Sequence, residues 1–404
     1  MKKRILFVDD DPNVLQGLRR MLRQLHDEWS IDFALSSREA LEKLSQATFD
    51  VVISDMRMPG MDGAQLLNEV KARHPQVVRI VLSGHSNRED ILRSVGPAHQ
   101  YLSKPCDAEL LRSTVSRACR LREVLANENI LNLVSQLGSL PSLPALYLEL
   151  VEELQSEGAS MQKVGAIIGK DIGMTAKILQ LVNSAFFALP RHISTPTEAV
   201  VLLGMDTVKA LVLSVHVFAK FDQQRLKFFP IEPLLEHSLR TGRIAKAIVA
   251  EERLQTKFGD DAVMAGFLHD AGKLVLAANL PEKYAAILAF MNKNRVSLHA
   301  AERECFGATH AEVGATLLGL WGLPDLIVEA VALHHNPGAA LSRTLSPLTV
   351  VHVANVLERE THPAAVFGAD DGIDSDYLAA LGLTGRLPAW RQLARKLCEK
   401  WEAR

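Results

Sequence analysis

The sequence predicts an α/β unit followed by an all-α unit: a doubly wound, five-stranded parallel sheet, then a helical domain. Three observations carry this. Short β-branched runs alternate with helix-spaced apolar residues up to about residue 120. From about residue 130 the strand signal stops, and helical patterns punctuated by Gly and Pro follow one another. The chain has 404 residues, enough for two or three domains with separate cores. The boundaries read as 1–120 for the sheet unit, 121–135 for a connecting helix and 136–404 for the helical unit, which ends in a C-terminal helix.

The strands are "RILFVD", "IDFAL", "DVVIS", "RIVLS" and "QYLS". Their near-continuous apolar character fits a sheet covered on both faces. In such sheets chemistry gathers at the carboxyl ends of the strands. That rim carries Asp9 and Asp10 after the first strand, Asp55 after the third, Ser83 after the fourth and Lys104 after the fifth. Three carboxylates at one rim repel unless a cation lies among them, and an all-oxygen site suits Mg²⁺. With the metal bound, Asp55 can attack a phosphoryl group, and Mg²⁺ and Lys104 would offset the charge that develops. The Ser83 hydroxyl can donate to an attached phosphoryl oxygen, and Arg57 would supply a backbone carbonyl to the metal. Any one of these acids alone would read as a solvated strand end. The ordered set of Asp-Asp, "SDMRMPGMDG", Ser-Gly and Lys-Pro does not.

Over about residues 3–120 that set resembles the receiver domain of bacterial response regulators. The resemblance implies that a sensor histidine kinase phosphorylates Asp55, with Asp9 and Asp10 in the Mg²⁺ site. It also implies that Tyr101 is the aromatic switch, that Ser83 moves toward the phosphate, and that the Lys104–Pro105 bond is often cis.

After "KPCDAEL" an apolar stripe of Leu111, Val115, Ala118, Leu121, Leu125 and Leu131 continues the last helix into the connection. A homodimer through this helix and a helix packed on its own chain both remain open, because the heptads are few and irregular. Beyond it, "SMQKVGAIIGKDIGMTAKILQLVNSAFFALP" reads as two helices joined near Lys170–Gly173, with Ser160 as N-cap. "TPTEAVVLLG" and "MDTVKALVLSVHVFAKF" give two more. The phrases "LPSLPAL", "IIGKDIGMTAKILQLVNSAFFALP" and "AVVLLG", with the later "LHDAGK", resemble the HDOD domain over roughly residues 132–340.

An HD-like portion covers about residues 230–360. His237 opens "HSLRTGRIAKAI", His269-Asp270 stand in "LHDAGK", His310 in "THAEVGATLLG" and His334-His335 in "ALHHNP". Imidazoles mixed with carboxylates hold divalent metals that activate water. The order resembles the HD superfamily of metal-dependent phosphohydrolases, and "THAEVGATLL" is similar to the HD-GYP enzymes that hydrolyse cyclic di-GMP. A Mn, Fe or Ni ion is the implied cofactor. Two departures stand against turnover. Asn355 occupies the place of the distal aspartate, and no Gly-Tyr-Pro signature follows His335. Lys273 reads as a hydrogen-bond or phosphate neighbour of the site, or else a solvated helix end. Of the other histidines, His216 and His352 read as hydrogen-bonded core residues. His26, His85, His99, His192 and His299 have no partner pattern and read as surface.

Two outputs stay open: binding of an unknown downstream protein or nucleotide ligand, or hydrolysis of a cyclic dinucleotide or other nucleotide. The formal net charge of -2 offers no global field for nucleic acid or acidic membranes, and no recognition helix for direct DNA binding stands out. Cys106, Cys119, Cys305 and Cys398 lie far apart and form no CxxC pair, which fits reduced thiols in a cytoplasmic chain. No signal peptide and no membrane span are expected. "GADDGIDSDY" reads as a solvated acidic loop and the last helix as a docking helix.

Overall fold

In the first strand alternate residues serve opposite faces: Ile5 and Phe7 enter one core, Leu6 and Val8 another. The structure, a computed structural model, describes residues 2–83, 98–124, 131, 134, 141–142, 144–156, 158–183, 192–205, 208, 219–220, 226–254, 256–340, 344–362 and 372–402. Five parallel strands, β1 (Lys3–Val8), β2 (Trp29–Ala34), β3 (Val51–Ser54), β4 (Val78–Ser83) and β5 (Gln100–Ser103), lie in the order β2-β1-β3-β4-β5. Helices Pro12–Met21 and Ala108–Val124 cover one face, and Ser37–Gln46 and Gly63–Arg73 the other. The strand order reverses between β1 and β3, which makes their ends the switch point where ligands bind in such sheets. Their register pairs Val8 with Ser54, so Asp9 and Asp55 leave the sheet as neighbours.

The helical unit packs onto the sheet unit. Leu111 and Val115 of Ala108–Val124 share one core with Leu317 and Leu320 of helix His310–Leu320. At the amino end of β5, Gln100 Nε2 donates to Gly319 O (3.4 Å), and Gln180 Nε2 donates to His99 O (3.2 Å). His99 is therefore buried rather than on the surface, with its ring 2.8 Å from Arg79 Nη2. As expected, the chain breaks between helices Met161–Ile168 and Ile172–Val182. Ser160 caps the first by accepting from Lys163 N–H, and Asp171 caps the second by accepting from Met174 N–H.

Three further expectations need correction. A short parallel pair, β6 (Pro141–Ser142) with β7 (Ala219–Lys220), lies where only helices were expected. The acidic "GIDSDY" segment is not simply solvated: Asp374 caps helix Ser375–Ala380, and Tyr377 is buried. His299 is half-buried rather than on the surface. The docking of the last helix, Leu387–Glu402, is as expected, with Trp390 buried and its Nε1 donating to Glu252. His85, His216, most of the "MDTVKALVLSVHVFAKF" segment and part of the connecting helix lie outside the described residues. Among the described residues, no single helix is long and apolar enough to cross a membrane.

Lys177 lies buried in this inter-unit region, with Nζ 2.8 Å from Gln180 Oε1 and 5.4 Å from the centroid of the Trp321 ring. Burial first, and then the Lys71 charge, pull its ammonium down to about 7. A lysine so depressed takes up a proton on unfolding, so it adds stability as pH rises from 7 toward its ordinary range. The depression corresponds to on the order of 5 kcal/mol of cost for the buried cation. Lys177→Met is expected to raise the thermal midpoint at neutral pH and to flatten its rise toward about pH 9. A midpoint and slope equal to wild type in melts across that range would count against this burial.

Candidate functional site

At the switch point Lys104 Nζ lies 2.5 Å from Asp9 Oδ2 and also hydrogen bonds Asp55 Oδ1. Arg57 N–H donates to Asp55 Oδ2 at 2.7 Å, and Asp11 N–H to Asp9 Oδ1 at 3.0 Å. Asp9 is buried and Asp10 exposed. Burial pushes the Asp55 carboxyl above its ordinary value, and the hydrogen bond and charge of Lys104 offset this only in part. Burial lowers Lys104, but Asp55 and Asp9 outweigh it and hold the ammonium above its usual range. The turn after β3 is tight: a Cβ on Gly63 would lie 2.0 Å from Asp55 O. Asp62 fixes the next helix through a reciprocal capping box with Gln65. The Lys104–Pro105 bond is cis. Ser83 and Tyr101 end β4 and lie in β5, but their side chains fall outside the described residues.

The second constellation lies in the helical unit. His237 comes from helix Ile231–Glu251, His269 and Asp270 from the turn between Thr256–Leu268 and Ala271–Asn279, and His310 from the first residue of His310–Leu320. His334 and His335 follow helix Asp325–Leu333. Glycines let these helices close in: Gly266 packs on Gly242, and Gly272 packs on Gly314 and the His310 carbonyl.

Asp270 is fully buried between two groups of imidazoles. Its Oδ2 faces His269 Nε2 (3.4 Å) and His237 Nε2 (3.6 Å). Its Oδ1 faces His310 Nε2 (3.2 Å) and His334 Nε2 (3.8 Å). His237 and His269 are 3.2 Å apart through their Nε2 atoms, and His310 and His335 are 3.1 Å apart. Lys273, fully buried rather than a solvated helix end, places Nζ 2.6 Å from Asp270 Oδ2. Asn355 is buried, and its Oδ1 accepts from Arg359 Nε at 3.4 Å.

Outer partners orient four of the rings. Nδ1 of His237 meets Glu358 (2.5 Å), and that of His310 meets Glu302 (2.6 Å). Nδ1 of His269 meets Gly266 O (2.7 Å), and that of His334 meets Val331 O (2.8 Å). Glu302 also accepts from His310 N–H and from Tyr284 Oη–H, the latter at 2.6 Å. This is the outer shell that metal-binding histidines ordinarily show. Glu302, Glu358 and Tyr284 do not stand out in the sequence. His299 contributes too, since its ring stacks on His335 with centroids 4.3 Å apart. His352, as expected, is a satisfied core residue: its Nδ1 meets His334 O and its Nε2 accepts from Asp374 N–H.

Burial alone would raise Asp270, yet the His269 and Lys273 charges beside it hold it well below the usual carboxylate range. Burial pulls His334 well below its ordinary value, and the neighbouring imidazoles add to this. Asp270 Oδ1 and His334 Nε2 are buried with no hydrogen bond. Ligands about 2.1 Å from a shared ion at tetrahedral or octahedral angles lie about 3.0–3.4 Å apart. The closest donor separations here fall in that range. The donor set therefore fits a divalent metal.

A phosphoryl-acceptor type of acid pocket on a parallel sheet, followed by a helical unit with a His-Asp cluster, defines a response-regulator-type signalling protein. Residues 5–116 match the response regulator receiver domain and residues 140–337 the HDOD domain. The chain belongs to the response regulators in which a receiver domain is followed by an HDOD domain. An uncharacterized protein of Treponema pallidum (strain Nichols) is 23% identical over 289 residues, 70% of this chain and 53% of that one. The transcriptional regulatory protein ZraR of Escherichia coli (strain K12) is 33% identical over 145 residues, 35% of this chain and 32% of that one. The MmoQ response regulator of Methylococcus capsulatus is similar at 23% identity and TM-score 0.47, over 62% of this chain and 98% of that one. The chain thus spans about half the length of the Treponema relative and about a third of ZraR.

Proposed function

We propose that this response regulator is switched by phosphorylation of Asp55 by a histidine kinase, with Mg²⁺ held by Asp9, Asp10, Asp55 and the Arg57 carbonyl. The HDOD domain is its output. One observation supports the coupling above others: helix His310–Leu320 carries a cluster histidine at its first residue, while Gly319 near its other end bonds β5 of the receiver. A displacement of β5 on phosphorylation would reach the cluster through one rigid element, biasing the output between two packings.

Hydrogen exchange tests this. Phosphorylated protein is expected to change exchange in Gly319–Gly322 and at the start of that helix, with Asp55→Asn unresponsive. A phosphorylated chain whose exchange there matches the unphosphorylated chain would remove the coupling.

Within the output, the cluster residues would hold a divalent metal, which supplies Lewis-acid activation of water when bound. Binding of a protein or nucleotide ligand is the primary reading. Hydrolysis of a cyclic dinucleotide or another nucleotide is the second, favoured by Asp270 facing two imidazole groups with Lys273 beside it as a phosphate neighbour. The departure at Asn355 weighs against it. Turnover that stops on chelation would select the second reading.

A further inference from the structure

The two imidazole groups flanking Asp270 are not equivalent. This inference rests on the metal-binding reading above and narrows it. In the group of Asp270 Oδ1, His310, His334 and His335, two donor atoms in buried side chains, Asp270 Oδ1 and His334 Nε2, make no hydrogen bond. Leaving such atoms unsatisfied is costly unless something fills the space between them. Nδ1 of His310 and of His334 is taken up by Glu302 and Val331 O, so each ring turns Nε2 to the centre. His335 is half-buried, which leaves one side of this group open to access, and the stacked His299 ring supports it.

In the group of His237, His269 and Asp270 Oδ2, the carboxylate oxygen already has a cation. Lys273 Nζ sits 2.6 Å from it, and both side chains are fully buried. A divalent ion bound there would face that ammonium across a shared oxygen, inside a low-dielectric core where like charges repel strongly. The residue that stands in the distal aspartate's place, Asn355, is neutral, and its oxygen is engaged by a second cation, Arg359. This group therefore offers two imidazoles and a carboxylate oxygen that is already neutralised.

We propose that the chain binds one divalent cation, held by Asp270 Oδ1, His310, His334 and His335, and that Lys273 takes the place of a second ion beside His237 and His269. Three imidazoles and one carboxylate favour a first-row transition ion such as Fe²⁺, Ni²⁺ or Zn²⁺ over Mg²⁺ or Ca²⁺.

The test is the Zn²⁺ content of the full chain after stripping with a chelator and dialysis against Zn²⁺ with excess Mg²⁺, which keeps the receiver's oxygen site filled by Mg²⁺ so that only zinc in the histidine cluster is counted. One ion per chain is expected. His237→Gln, which keeps a donor for Glu358, should retain it. His335→Ala, at the half-exposed edge, should weaken binding by about 100-fold or more. Circular dichroism checks the fold of each variant. A second measurement, the imidazole count from pulsed electron paramagnetic resonance of Cu²⁺ bound to the unmutated chain, should give three rather than two. Two ions per chain, or an ion lost in His237→Gln and kept in His335→Ala, would overturn the assignment while leaving metal binding standing. No bound ion would overturn both.

Discussion

Incubated with a small acyl phosphate and Mg²⁺, the unmutated chain is expected to take up one acid-labile phosphoryl group, and Asp55→Asn none. The reaction forms an Asp55 Oδ–P bond and breaks the donor's acyl-oxygen–P bond, releasing the donor carboxylate. Three acids share the rim, so the choice among them needs a reason. Asp9 is buried and engaged by both Lys104 and the Asp11 N–H, which suits holding a cation rather than attacking. Asp10 is exposed. Asp55 lies between them in accessibility, at the end of β3, with Arg57 N–H and Lys104 Nζ fixing one oxygen each. The Lys104 cation is positioned to offset charge as the phosphoryl group arrives. An amide at position 55 keeps the shape and removes the nucleophile, so labelling should fall from stoichiometric to background. Mass spectrometry of intact protein reads this directly. A phosphoryl group that persists in Asp55→Asn would reassign the acceptor.

The receiver site was legible because Asp9, Asp55 and Lys104 directly follow strands and Ser83 ends one, and a strand end is local information. Asp9, Asp55 and Lys104 converge as expected, since a parallel sheet brings consecutive strand ends to one rim. The HD-like cluster was legible only in its ligand residues. His237, His269, Asp270, His310, His334 and His335 do converge. Their outer partners were not visible. Glu302 stands in "AERECF" among other charges, where an acid reads as part of a solvated face, and its packing against Tyr284 and His310 is a tertiary fact. Glu358 pairs with His237 across 121 positions of sequence. Lys273 reads as a neighbour of the site, but its occupation of Asp270 Oδ2 depends on one buried rotamer. His99 and His299 were misread as surface for the same reason: their partners, Arg79 and His335, lie 20 and 36 residues away.

The glycines that let the helices approach were equally silent, and one of them sets the second large effect. Gly272→Ala is expected to disable the HDOD domain. A Cβ at 272 would stand 1.9 Å from His310 O, 2.7 Å from His310 C and 2.8 Å from Gly314 N. All three are backbone atoms of helix His310–Leu320, so no rotamer change relieves the clash. Carbon contacts settle near 3.5–4.0 Å, so the two helices must part by on the order of 1 Å or more. That retreat carries His310 away from Asp270 Oδ1, now 3.2 Å distant, and opens the metal group at its centre. Overpacking of this kind costs about 3 kcal/mol or more, and for a domain of this size that lowers the thermal midpoint by about 6–12 °C. Gly17→Ala is the matched control: it lies inside helix Pro12–Met21 with nothing within 4 Å of an added Cβ. There the gain in helix propensity, about 1 kcal/mol, acts alone and should leave the fold intact or firmer. Thermal melts and metal content of the two variants separate the effects. If Gly272→Ala melts with the unmutated chain and keeps its ion, the close crossing of these helices is not what assembles the cluster.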